Sequence, residues 1–99
     1  MTVRKAAVAG SWYPGSADAL KAAVDRHLAA AVDAPPAPER LVALIAPHAG
    51  LIYSGPVAAY SYRLLQTHSY DVVVLVGPSH FVGFDGVAAY RGAGFDTPF

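Results

Sequence analysis

Two of the four histidines come directly after continuous apolar runs of the chain. The run at residues 41–46 leads through Pro47 into His48, and the run at residues 72–76 leads through a Gly-Pro turn into His80. Neutral imidazole is the commonest metal ligand in proteins. If the two runs are neighbouring parallel strands, both imidazoles lie at the carboxyl edge of the sheet, where open α/β sheets bind their ligands. The sequence therefore predicts a metal site at His48 and His80.

A structural role for the same histidines is also open, because a loop imidazole often serves only to hydrogen-bond backbone groups. Non-haem iron commonly takes two histidines and one carboxylate. Asp85 and Asp96 follow the second histidine, but both lie among glycines and fit turns better than a metal site. No convincing third ligand is present in the sequence.

Aromatic side chains near the turns are candidates for lining the same cleft. Tyr53 lies five residues after His48, where its ring could pack on a ligand and its hydroxyl could donate a hydrogen bond. Trp12 lies in a turn-rich segment, and core packing fits both aromatics equally well. Ser79 next to His80 lacks an orienting acid, which argues against a serine nucleophile.

The elements that must position these residues form an α/β pattern. Ser16 is placed to cap a helix that begins at Ala17, runs for about four turns and ends before three prolines at residues 35–38. Runs as continuously apolar as 41–46 and 72–76 are typical of parallel strands covered on both faces. A helix predicted over residues 57–67, started by Ser54-Gly55-Pro56, completes a strand-helix-strand unit. Residues 86–90 form a last strand-like segment.

Composition excludes several classes of function. The chain has 99 residues, 55% hydrophobic and 14% charged, and its seven basic and seven acidic side chains balance. This charge balance argues against nucleic-acid and membrane partners and favours a small-molecule or peptide ligand. The absence of cysteine and of any apolar stretch long enough to span a bilayer predicts a soluble, cytoplasmic protein. Strands this apolar need cover, so we expect a domain truncated at its carboxyl end, and self-association through the uncovered sheet is open.

Four blocks of sequence together resemble the Memo family, whose prokaryotic members are called AmmeMemoRadiSam system protein B. The blocks are RKAAVAGSWYP at 4–14, APHAGLIYSGPVAA at 46–59, LVGPSH at 75–80 and GFDTP at 94–98. The resemblance covers essentially the whole chain. It implies that residues 1–99 are the amino-terminal part of a single Memo-like domain, with a fold similar to the class III extradiol dioxygenases.

The resemblance also implies iron or copper held by two histidines that match His48 and His80, in a cleft lined at positions matching Trp12 and Tyr53. In relatives a cysteine from the carboxyl-terminal part completes the site, and this chain has none. The functions left open are a metal-dependent, dioxygenase-like oxidoreductase, a non-catalytic module that binds a peptide or small ligand, and a metal-buffering protein. The substrate and reaction are not indicated.

Overall fold

The computed structural model describes all residues, 1–99, and has two helices and one small parallel sheet. Strand β1 is Val3–Arg4, helix α1 is Ala17–Ala30 and helix α2 is Leu51–Arg63, which continues into a single 3₁₀ turn at Leu64–Thr67. Strand β2 is Gly94–Phe95 and pairs with β1 in parallel. The predicted fold class, a mixed α/β structure with parallel strands, is confirmed.

Helix α1 forms where the sequence predicts it. The Ser16 hydroxyl accepts a hydrogen bond from the Ala19 amide at 3.3 Å, which satisfies one of the amide groups left free in the first turn. Leu20 and Ala23 are buried on its inner side, and Ala31 is buried just after its end. The prolines that follow allow no continuation of the helix.

Helix α2 begins six residues earlier than the sequence predicts. Gly50 is its N-cap, and the carbonyl of Gly50 accepts hydrogen bonds from Tyr53 at 2.9 Å and Ser54 at 3.1 Å. Pro56 therefore lies inside the helix and not at its first position. The helix tolerates this proline because only one early backbone bond is lost and the inner side is buried at Ser54, Gly55 and Ala59.

The two helices pack against each other and supply most of the core. The His27 ring of α1 lies against Gly55 of α2, so closely that a Cβ atom at Gly55 would stand 2.9 Å from it. The Arg63 guanidinium donates a 2.7 Å hydrogen bond to the Leu28 carbonyl near the carboxyl end of α1. His27 is therefore a packing residue between the helices.

The predicted strands at 41–46, 72–76 and 86–90 are wrong in position. None of the three segments forms a strand, and no backbone hydrogen bond joins 41–46 to 72–76. Val74 and Val76 are 79% and 91% exposed. A strand exists only when a second segment satisfies its amides and carbonyls, and an apolar run does not indicate where that segment is.

The sheet that does form joins the two ends of the chain. Arg4 and Phe95 are partners in its register, and the Asp96 amide donates to the Arg4 carbonyl at 2.7 Å. The Lys5 ammonium lies 3.0 Å from the Asp96 carboxylate, and the Tyr90 hydroxyl donates to the Thr2 carbonyl. None of the helices is long and apolar enough to cross a membrane.

Candidate functional site

His48 lies in the loop that enters α2. The carbonyl of Trp12 accepts a 2.7 Å hydrogen bond from the Leu51 amide, so the turn that carries Trp12 is attached to the first turn of α2. The Ser54 hydroxyl donates to the Ala49 carbonyl at 3.0 Å, and Ser54 is buried. These two bonds fix the backbone immediately after His48.

The role of Ser54 differs from the one its sequence position suggested. A serine before Gly-Pro resembles a helix cap, whereas here its hydroxyl bonds backward to the residue that follows His48. The signal that could have identified this role is the glycine at position 50, which is a good N-cap in its own right. Ser54 thus supports the candidate site from inside the helix.

His80 lies in a turn closed by its neighbour Ser79. The Ser79 hydroxyl donates to the Val82 carbonyl at 2.6 Å and accepts from the Val82 amide at 3.4 Å. Both bonds close a local turn of the kind that serine side chains form. The hydroxyl is therefore engaged in holding the loop that presents His80, which agrees with the argument against a serine nucleophile.

The two histidine rings lie next to each other. Their centroids are 5.4 Å apart and their planes are inclined by 51°, although 32 residues separate them in the chain. Both residues are exposed. The predicted strand pairing is absent, yet the structure brings together the two side chains that the pairing was expected to bring together.

The separation of the rings fits two ligands of one ion. A nitrogen bound at about 2.0–2.1 Å places each ring centroid roughly 3 Å from the ion, so two rings on one ion have centroids no more than roughly 6.5 Å apart. The observed 5.4 Å meets this limit. No group of three or more His, Cys, Asp or Glu side chains is close enough to form a fuller ligand set. His48 and His80 would therefore supply two positions, and the others would be open.

Two aromatic residues named from the sequence lie near the amino end of α2. Tyr53 is in the first turn of the helix and is 77% exposed, and Trp12 is 50% exposed. A Cβ atom at Gly50 would be 3.5 Å from the Tyr53 ring and 3.6 Å from the Trp12 carbonyl. The Trp12 backbone, Gly50 and the Tyr53 ring therefore meet at one place, and Gly50 and Tyr53 follow His48 by two and five residues. Neither aromatic side chain is part of a buried core.

The remaining candidates lie elsewhere. Asp96 pairs with Lys5 beside the sheet, and His27 packs between the helices. Both ring nitrogens of His68 contact backbone carbonyls, Nδ1 with Leu64 at 3.1 Å and Nε2 with Pro38 at 2.9 Å. His27 and His68 therefore have structural contacts away from the His48–His80 pair.

Comparison with known proteins gives the family. The sequence model described as Memo-like protein matches residues 4–99. A MEMO1 family protein of Nitrosopumilus maritimus is 37% identical over 100 residues, which cover 97% of this chain and 36% of that protein. Protein memo-1 homolog of Caenorhabditis elegans is 38% identical over 96% of this chain and 26% of its own length. Protein MEMO1 of Danio rerio is 37% identical over 99% of this chain and 32% of its own length.

The Memo-like model thus matches nearly the whole length of this α/β chain, including the two adjacent loop histidines. The chain belongs to the Memo-like protein family. It spans between 26% and 36% of the length of these curated relatives. No solved structure gives a significant match to the chain.

Proposed function

We propose that this chain carries two protein ligands of a metal site, His48 and His80, in a non-haem iron- or copper-dependent redox protein. The observation that supports the proposal is the 5.4 Å separation of the two rings. Imidazole binds both metals well, and two protein nitrogens leave positions for substrate. An iron or copper ion held there would supply one-electron redox chemistry at those open positions.

The residues around the pair have defined tasks under this proposal. The Ser54 bond to the Ala49 carbonyl and the Ser79 bonds to Val82 hold the two loops that present the ligands. Ligand rings that are oriented in advance lose less conformational freedom when a metal binds. Tyr53 and Trp12 offer exposed aromatic surface to an apolar or aromatic part of a substrate.

Metal titration tests the proposal. Under anaerobic conditions Fe²⁺ and Cu²⁺ should bind the chain with one-to-one stoichiometry, and His48→Ala and His80→Ala should each weaken binding by at least about tenfold. His27→Gln is the matched control, because it removes an imidazole that lies between the helices and should leave affinity unchanged. Equal affinity in the wild type and in both alanine variants would refute the proposal.

A non-catalytic ligand-binding module is favoured by a separate observation, the exposed aromatic surface of Trp12, Tyr53 and Phe81. In that case the chain should bind an aromatic peptide or small molecule equally well after dialysis against a chelator.

Metal buffering, the remaining alternative, predicts tight binding of the ion with no oxygen consumption in the presence of a reductant. Ligand binding and oxygen uptake measured on the same preparation, with and without chelator, separate the three functions.

A further inference from the structure

Side-chain hydrogen bonds join the segments that contain the two apolar runs, 41–46 and 72–76. The bonds lie near the start of each segment, away from the histidine that follows each run. His68 Nε2 is 2.9 Å from the carbonyl oxygen of Pro38, and the Tyr70 hydroxyl donates a 2.7 Å hydrogen bond to the carbonyl of Leu41. Pro38 and Leu41 begin the segment that ends at His48. His68 and Tyr70 begin the segment that ends at His80. We call these four residues the clip.

The clip is anchored to helix α2. His68 Nδ1 contacts the Leu64 carbonyl at 3.1 Å and the Thr67 hydroxyl at 3.3 Å, which ties the ring to the 3₁₀ turn that follows the helix. The rings of His68 and Tyr70 are stacked, with centroids 6.0 Å apart and planes inclined by only 9°. The two side chains therefore support each other and act as one unit.

Helix α2 connects the clip with the histidine pair. Its first residue, Leu51, follows His48 by three positions, and its carboxyl end leads directly into the clip. The 13 residues of α2 span about 20 Å at 1.5 Å per residue. The clip and the pair thus lie at opposite ends of the same rigid element.

Nothing else in the backbone sets the spacing of the two runs. No backbone hydrogen bond joins residues 41–46 to residues 72–76. The Ser61 hydroxyl of α2 donates a 3.4 Å hydrogen bond to the Ile45 carbonyl in the first run, whereas the clip bonds join the first run to the start of the segment that ends at His80. We propose that His68 and Tyr70 are positioning residues that set the separation of His48 and His80. This inference rests on the proposed metal site for its functional meaning, while the positioning itself can be measured without a metal.

The decisive variants remove the clip bonds and keep the ring stack. Tyr70→Phe deletes only the hydroxyl that binds Leu41, and His68→Phe deletes both nitrogen contacts while it keeps an aromatic ring beside Tyr70. Tyr62→Phe is the matched control, because the Tyr62 hydroxyl has no hydrogen-bond partner and Tyr62 lies in helix α2, to which the clip is anchored. We call the protein with both substitutions the double clip variant. If it loses helical circular dichroism, the test uses Tyr70→Phe alone.

The first measurement is made on the metal-free chain. The nuclear Overhauser effect between the ring protons of His48 and His80 should weaken at least about twofold in the clip variants and stay unchanged in Tyr62→Phe, since that effect falls steeply with distance. A merely structural role would lower stability without moving these two rings. An unchanged effect in folded clip variants would overturn the inference.

The second measurement is the affinity for Cu²⁺, followed by electron paramagnetic resonance under competition with a chelator. Residues that act on a site without touching it typically change affinity by about 2- to 30-fold. We expect about tenfold weaker binding and an altered nitrogen-ligand spectrum in the double clip variant.

If His48→Ala abolishes binding while the clip variants bind as the wild type does, the clip inference fails and the proposed function stands. If the wild type binds no Cu²⁺ and the ring-to-ring signal still falls in the clip variants, the proposed function fails and the positioning role stands.

Discussion

Helices α1 and α2 and the segment 71–90 are equally apolar in sequence and differ completely in structure. The helices bury six residues between or beside them, including Leu20, Gly55 and Ala59. Every residue from 71 to 90 is exposed, and the segment contains no helix or strand. Helices satisfy their backbone groups within themselves, whereas a strand depends on a second segment for every hydrogen bond. Apolar sequence therefore favours burial, but the pattern of backbone hydrogen bonds decides whether a segment can form a buried element without a second segment.

The candidate site lies at the junction of these two regions. His48 is held by the well-formed amino end of α2, and His80 is held by a local serine turn within the exposed segment. One of the two histidines therefore follows a run that leads into a well-formed helix, and the loop of the other is held by short-range bonds. Mutations in the two regions should accordingly have unequal effects on stability.

The largest expected difference follows from placing a charge in each region. Ala59→Asp puts a carboxylate at a position only 4% exposed between the helices, and an unpaired buried charge costs about 3–5 kcal/mol. Val74→Asp puts the same group at a position 79% exposed, where it should change the free energy of unfolding by no more than about 0.5 kcal/mol. Urea unfolding followed by circular dichroism compares the two. Similar losses in both variants would contradict the division into two regions.

Two glycine-to-valine substitutions, one in α2 and one in the segment 71–90, test the same difference in stability with an apolar side chain. A Cβ at Gly55 would meet the His27 ring at 2.9 Å and the Leu51 side chain at 3.1 Å, so Gly55→Val must displace the His27 ring from its place between the helices. Overpacking of this kind costs about 1–3 kcal/mol. A Cβ at Gly83 would meet nothing within 4 Å, and Gly83→Val should have almost no effect on thermal unfolding. A destabilised Gly83→Val would show that the exposed segment has contacts the structure lacks.

The exposed valines predict self-association. Val72, Val74 and Val76 are each at least 77% exposed and lie at alternate positions of one run, and contiguous exposed apolar side chains favour association. We expect sedimentation velocity to show concentration-dependent association, weakened at least about tenfold in dissociation constant by Val74→Asp. Since tenfold corresponds to about 1.4 kcal/mol, the effect ranks below the two helix variants. A monodisperse monomer at all concentrations would be evidence against it.

The elements that sequence could predict are those whose signals are local. The sequence predicts α1 correctly from Ser16 and from the apolar residues that follow it every four positions, at 20, 24, 28 and 32. A cap and a helical period are both local to the helix itself. The start of α2 was missed, because Ser54-Gly55-Pro56 resembles a helix start and Gly50 supplies the real one. The strands were misplaced, because a two-residue pairing between Val3–Arg4 and Gly94–Phe95 depends on contacts 91 residues apart.

The closeness of His48 and His80 could be predicted from the sequence, whereas the sheet expected to bring them together could not. The placement of His48 and His80 after two similar runs indicated that the rings would meet, and their centroids are 5.4 Å apart. The supporting residues were not predictable in the same way. The side chains of Ser54, His68 and Tyr70 contact backbone carbonyls of other residues. Every residue has a backbone carbonyl, so the residue type does not indicate which carbonyl will be bound.

The smallest expected difference compares two serine hydroxyls that make similar bonds. Ser16 caps α1, and Ser16→Ala should destabilise the helix pair by about 1 kcal/mol, because the first-turn amide loses its acceptor. Ser79 closes a turn in the exposed segment, and Ser79→Ala should change the unfolding free energy by less than about 0.5 kcal/mol, since water can replace its bonds to Val82. Ser79→Ala should instead loosen the loop of His80, which nuclear relaxation of the His80 amide would report. An equal loss of stability in both variants would mean that the segment 71–90 folds together with the helices.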